Sequence, residues 1–453
     1  MNMTRNTLKI AVALALAWAP AAFAKATAQE VERLGKDLTP VGAEKAGNKD
    51  NTIPAWDGGL IKAPAGFDAK KGYADPYAAE KPLFAITAAN AAQYADKLSP
   101  GQVAFLKKNP GYKMNVYPSH RSAALPQAVY DDIRKNAASA ELAADGNGVT
   151  KSGTSPIPFP FPKAGEDLLW NHSFRWRGGS VERESSWYVV QPGGGHFRVA
   201  TTDRFVFENA GYLDTKRDNM NFVWMGYYRM PSTLEGTILL VWDTIDQGKE
   251  PRSGWLYNAG QRRVRRVPEL CCDYSADGTE GLRFTDQYDG WNGTTDRYTW
   301  KLVGKKEMYI PYNDYKLTDK SLKEDEVLKP GFVNPDVVRY ELHRVWQVEG
   351  TLKEGKRHVF AKRVMYFDED TYQLSLADLY DSRGQLWRLQ ETFPMQYYDA
   401  TVPFYSGMTF YDLNSGAYTL AFTSFEEKGV AKFGARGKLA DFQPDALRRI
   451  GSK

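Results

Sequence analysis

The chain has 453 residues, 42% of them hydrophobic and 25% charged, with a formal net charge of +4. So near-neutral a balance excludes the broad phosphate-reading surface of a nucleic-acid binder, which depends on clustered Lys and Arg contacts. The two cysteines, adjacent at 271 and 272, exclude a disulfide scaffold.

The first residues carry Arg5 and Lys9, an apolar run from Ile10 to Trp18, and small residues ending in Ala22-Phe23-Ala24. That order predicts a cleavable export signal over 1–24, with a second small-x-small site at Ala26-Thr27-Ala28. The run is about half the roughly 20 residues needed to span a bilayer. No cysteine stands near the cut to accept a lipid, so the expected product is a soluble periplasmic protein.

Residues 25–153 read as an extended arm followed by helices. Thr87 can cap a helix to Lys97, Ser99-Pro100-Gly101-Gln102 has capping-box spacing, and a third helix is expected from Pro126 to about Leu142. Residues 154–165, with proline at alternate positions from Pro156 to Pro162, form a stiff connector, because such a run fixes φ and lacks amide donors. From 166 to 453 short strands and turns predominate. The clearest are Tyr340–Leu352, Arg357–Asp368, Tyr372–Tyr380 and Gln385–Phe393, joined by short polar turns as in an antiparallel meander. Earlier strands are expected at Trp187–Val190, Arg198–Glu208, Gly236–Trp242, Trp255–Tyr257 and Arg262–Val267. So many consecutive hairpins predict an α+β, mainly β fold: one large curved antiparallel sheet or open barrel, with helices from the N-terminal part.

The 12 Trp, 26 Tyr and 22 Phe suit broad sheet faces and apolar grooves. Leu342, Trp346 and Val348 share one face of their strand, and Trp387 and Leu389 one face of another, so these five are the candidate walls of a ligand cavity. Arg262, Arg263, Arg265 and Arg266 can contact an anionic headgroup or an acidic partner; they equally suit a charged edge guarded against aggregation. Cys271 and Cys272 read either as two thiols in a loop or as a strained vicinal disulfide. The five histidines stand apart in sequence and no zinc spacing, nucleophile elbow or P-loop occurs, so no catalytic residue, metal or cofactor is expected. Gly193-Gly194-Gly195 reads as a hairpin turn, and Asp368-Glu369-Asp370 as a solvated one.

Several longer blocks carry a resemblance. They are Asn90 to Gln102, Val116 to Arg121, Phe159 to Lys163, Trp170-Asn171-His172, Gly304 to Asn313 and Arg339 to Trp346. Together they resemble a proteobacterial exported family of unknown function grouped with outer-membrane lipoprotein-sorting proteins. The resemblance implies an open half-barrel of the LolA/LolB kind, covered by helices around an apolar cavity. It also implies work beside an inner-membrane exporter and an outer-membrane protein. The reading that follows is a periplasmic carrier or binding protein for a lipid or other hydrophobic molecule. A polysaccharide-binding protein would instead display flat exposed aromatics, and a hydrolase would need histidines and carboxylates converging in one pocket.

Overall fold

The computed structural model describes residues 25–68, 71–267 and 270–451; the export signal expected over 1–24 lies outside the described residues. Its helices are α1 (Ala28–Arg33), α2 (Pro100–Lys108), α3 (Gln127–Asn136), α4 (Gly165–Phe174), α5 (Glu324–Val327) and α6 (Pro444–Gly451). Two short pairs stand apart: β3 (Glu141–Leu142) with β4 (Val149–Thr150), and β12 (Leu328–Lys329) with β13 (Phe332–Val333). The other strands are β1 (Phe84–Ile86), β2 (Met114–Val116), β5 (Ser180–Val190), β6 (His196–Phe207), β7 (Met220–Met230), β8 (Ile238–Thr244), β9 (Ser253–Asn258) and β10 (Arg263–Val267). They continue with β11 (Tyr298–Pro311), β14 (Tyr340–Leu352), β15 (Lys362–Asp368), β16 (Leu374–Tyr380), β17 (Leu386–Tyr397), β18 (Val402–Asp412), β19 (Tyr418–Thr423) and β20 (Lys432–Phe433).

These sixteen strands form one sheet, not closed into a barrel, in the order β1-β2-β14-β15-β16-β17-β18-β19-β5-β6-β7-β8-β9-β10. Strand β11 lies along the other side of β14, and β20 beside β5. The fold is thus mainly β with added helices, and the ladder is antiparallel except where β2 meets β14 at Val116 and Tyr340.

Alternation divides the sheet into two apolar faces. In β14 and β15, Trp346, Val348, Met365 and Phe367 pack in the largest core, while Val345, Val364 and Tyr366 pack in a separate cluster with Met308, Ile310 and Leu376. Both faces are covered. On one lie α3 and α4, with Ile133, Leu168 and Leu169 buried against the sheet. On the other, α2 sets Phe105 and Leu106 against Leu389 and Tyr411, and α6 sets Leu447 against Val223, Leu240 and Tyr257.

Local chemistry explains where the elements start and stop. Ser99 and Gln102 close the expected capping box, and the Gln102 amide then donates to the Tyr309 carbonyl, tying α2 to β11. Gly101 has to be glycine, because a Cβ there would lie 2.1 Å from an Asp378 oxygen. The helix expected from Thr87 is only a 3-10 segment, Ala91–Lys97, because the Asn90 side chain accepts from the Thr87 amide and holds a turn. The third helix stops at Asn136, not near Leu142: the chain turns there, and Leu142 pairs with Val149 and packs beside Trp170 and Phe174. Helix α4 falls where strands were expected, because it is buried nearly all round and shows no amphipathic period. Strand β15 starts at Lys362, five residues late, since His358 turns aside to Asp286.

Candidate functional site

Three of the family-like blocks, Val116 to Arg121, Gly304 to Asn313 and Arg339 to Trp346, converge on one buried network. Tyr117 donates its amide to the Tyr340 carbonyl, the Ser119 hydroxyl to the Leu342 carbonyl, and the His120 amide to Glu341. Glu341 also accepts from Arg339, Asn313 and His343, and these partners hold its carboxyl low although burial opposes its charge. The acidic turn expected to face water is buried, with Asp368, Glu369 and Asp370 only 2%, 2% and 6% exposed. Arg121 grips Asp370 bidentately at 2.6 and 2.9 Å, while Lys305 and Arg344 reach Glu369. Burial and the neighbouring Asp370 push Asp368 up to about 7.

His343, Asp368 and Asp370 offer ligand atoms within 4.8 Å of one another. Asp370 is already spent on Arg121, His343 on Glu341, and one Asp368 oxygen on Thr371 and Tyr312. The guanidinium beside them opposes a cation. His172 likewise holds backbone segments together. Its Nδ1 accepts from the Leu374 amide at 3.0 Å, so Nε2 carries the proton and donates to the Asp289 carbonyl at 2.9 Å. Burial above all, with Arg175 beside it, lowers this imidazole to about 3 and keeps it neutral.

A cavity lies elsewhere, at the β7–β10 end of the sheet. Cross-strand partners Trp224 and Val241, and Leu239 and Leu256, give it a wall on one face, while the intervening Val223 and Leu240 point to α6. The opposite wall is the loop 270–292, which has no regular strand and is pinned by side chains. Arg252 donates to the Leu270 and Asn292 carbonyls, Trp187 to Gly278, Arg388 to Leu282 and Gln390 to Gly290. Leu270 seats directly on β9, where a Cβ on Gly254 would fall 1.9 Å from it. Buried ion pairs finish the loop: Asp286 with Arg363 and Asp289 with Arg175 and Arg177. The resulting space is about 210 Å³, larger than the roughly 150 Å³ apolar cavity that accommodates benzene. Its rim includes Tyr274, 55% exposed.

None of the five expected wall residues lines this space. Leu342 and Leu389 are buried in the cluster under α2, and Val348 beneath the start of α4. Trp346 is half-buried with Lys305 over its ring, and Trp387 is half-buried with its indole donating to Asp412. Of the basic residues, Arg262 occupies a turn with φ of 51°, and Arg263, Arg265 and Arg266 are exposed on β10 at the end of the sheet. Arg265 stands opposite Leu256, and Arg263 follows the same alternation, so both lie on the cavity's face; Val264 packs on the other with α6. The cysteines are disulfide-bonded, with Cys272 buried and Cys271 at a second, more polar hollow of about 180 Å³. Sequence patterning missed the cavity's walls, because β7 and β8 were too apolar on both faces to show which one lacked a cover.

No helix among the described residues is long and apolar enough to cross a membrane. An uncharacterized protein of Pseudomonas aeruginosa is 47% identical over 454 residues, with all of both chains covered. Among solved structures, a DUF1329 family protein of Desulfovibrio piger superposes with a TM-score of 0.44 at 15% identity, covering 62% of this chain and 97% of that one. A LolA superfamily protein of Nitrosomonas europaea gives 0.38 at 11%, covering 63% and 100%. The model of the family described as "Protein of unknown function (DUF1329)" matches residues 85–448, and with the full-length Pseudomonas relative this shows that the chain belongs to that family.

Proposed function

We propose that this protein is a periplasmic carrier or binding protein that shelters a hydrophobic molecule in the cavity between β7–β9 and the loop 270–292. The carrying observation is the cavity itself: Phe222, Trp224, Leu239, Val241 and Leu256 present apolar surface to an unfilled space that opens at Tyr274. Each methylene moved there from water contributes about 0.8 kcal/mol, so a modest alkyl chain supplies useful affinity without any bond chemistry. The pinned loop keeps the wall preformed, which limits the ordering cost of binding.

The basic edge supports the same reading. Arg263 and Arg265 stand on the cavity's side of β10 and can meet an acidic membrane surface or an acidic envelope partner, such as an exporter, where the ligand is handed over. Titration of the purified protein with the neutral fluorophore N-phenyl-1-naphthylamine tests the cavity. Saturable fluorescence enhancement, lost in Leu239→Asp through an unpaired charge in the wall, supports the reading. No binding by the wild type overturns it.

A further inference from the structure

The cavity's walls are mainly apolar, but it also holds a buried cation. Arg283 projects there, 7% exposed, from the pinned loop. Among the described residues no carboxylate comes within ion-pair distance of its guanidinium, and its Nε–H is buried without a hydrogen-bond partner. Arg252, which also borders the space, is different: Asp243 and two backbone carbonyls engage each of its three nitrogens. Asp203 is likewise engaged, by Ser185, Thr201 and Arg183. Asp277, on the exposed rim, favours the Arg283 charge through space but does not come within ion-pair distance of it.

Two further buried donors without partners line the same space, the Trp224 indole N–H and the Tyr288 hydroxyl. They are neighbours of Arg283. The Trp224 and Tyr288 rings are 5.8 Å apart, Tyr288 meets Phe422 at 5.3 Å, and the Arg283 guanidinium lies 5.3 Å from the Phe422 ring centre. Of all the buried side-chain polar atoms left unpartnered among the described residues, these three are the ones that border the cavity, and each can donate a proton. An unpaired buried cation is costly, and native interiors rarely leave one without a counter-ion. Burial also lowers the Arg283 guanidinium from its ordinary range, outweighing the neighbouring Tyr288, Tyr228, Tyr405 and Asp277, which favour its charge.

We infer that the ligand is an acidic amphiphile, with a carboxylate received by Arg283, Trp224 and Tyr288 and a hydrocarbon chain directed past Leu256, Val267 and Leu270 toward the rim. The inference rests on the carrier reading and specifies it. A carboxylate suits the trio because a guanidinium fork can take both oxygens, leaving their outer lone pairs for the indole and the phenol. Asp203, already neutralised by Arg183, adds no net repulsion.

The experiment is competition against bound N-phenyl-1-naphthylamine by tetradecanoic acid, its methyl ester and tetradecanol at pH 8. The wild type should bind the acid at least tenfold more tightly than the ester or the alcohol. In Arg283→Met, checked for folding by its melting curve, that preference should shrink to within twofold while the neutral probe still binds. Tyr288→Phe, a gentler change, should reduce the preference severalfold. Equal binding of acid, ester and alcohol by the wild type overturns the inference and leaves the carrier reading standing, as does a preference unaltered in both variants. Failure of the neutral probe itself removes the carrier reading and the inference together.

Discussion

At the scale of single residues, the difference between a packed wall and an open one makes opposite predictions for two apolar side chains. Leu389 is 0% exposed under α2, so Leu389→Ala leaves a void that cannot collapse and should cost about 2–5 kcal/mol of stability with little effect on probe binding. Trp224 already borders empty space. Trp224→Ala should cost less stability and weaken the apolar probe at least fivefold, as denaturant midpoints and fluorescence titrations on both variants would reveal. Asp378 gives a pH-dependent test. Burial raises its carboxyl to about 7 from an ordinary 3.8, against the Ser99 hydroxyl and Gly101 amide bonds that favour its charge. Between these values the folded protein holds a proton that the unfolded chain has released, so this group's contribution to stability falls as pH rises from about 4 to 7. Asp378→Asn should therefore flatten the profile: unfolding free energies from urea curves at pH 5 and pH 8 should converge relative to wild type by on the order of 2 kcal/mol. His172 acts in the opposite sense over pH 3 to 6.5, equally in both proteins, and cancels from the comparison.

Among the elements, β10 and the loop after it carry the consequences. An exposed final strand with three arginines is protected from pairing with another chain and is available to an acidic surface. Replacing Arg263 and Arg265 with Gln should weaken binding to vesicles containing phosphatidylglycerol more than replacing Arg262 and Arg266, because only the first pair shares the cavity's face. Stability should change little, since exposed charges are individually worth under about 1 kcal/mol. Equal losses from both pairs would indicate a general electrostatic effect instead of docking beside the cavity. The element boundaries show how far local signals reach. The Ser99 capping box and the strand Tyr340–Leu352 were legible because their determinants are contiguous: a cap three residues from its partner, and a long run ended by Lys353-Glu354-Gly355. Helix α4 was not legible, because burial all round removes the polar stripe that marks a helix.

Over the whole molecule, the expected export signal predicts a mature chain beginning at Lys25 or Gln29, released from cells by osmotic shock and identified by N-terminal sequencing; a membrane-bound product retaining residues 1–24 would contradict it. The sequence by itself determined a mainly β chain with a helical N-terminal part, because strand alternation, turn residues and caps act over a few positions. It also supplied the family-like blocks, whose polar residues prove to hold backbone segments together: Arg121 on Asp370, Asn171 on Phe159, His172 between Leu374 and Asp289. Only the tertiary structure decided which apolar face stays open. Leu342, Val348 and Leu389 have the same local pattern as Leu239 and Leu256, yet α2 and α4 cover the first group, and a pinned loop spans the second without filling the space beneath it. Whether Arg283 has a partner is equally invisible along the chain: Asp277 and Asp286 are both near it in sequence, yet Asp286 pairs with Arg363 and Asp277 stays outside ion-pair distance. Cavities and unpaired charges are properties of what fails to meet in three dimensions, and no local pattern encodes them.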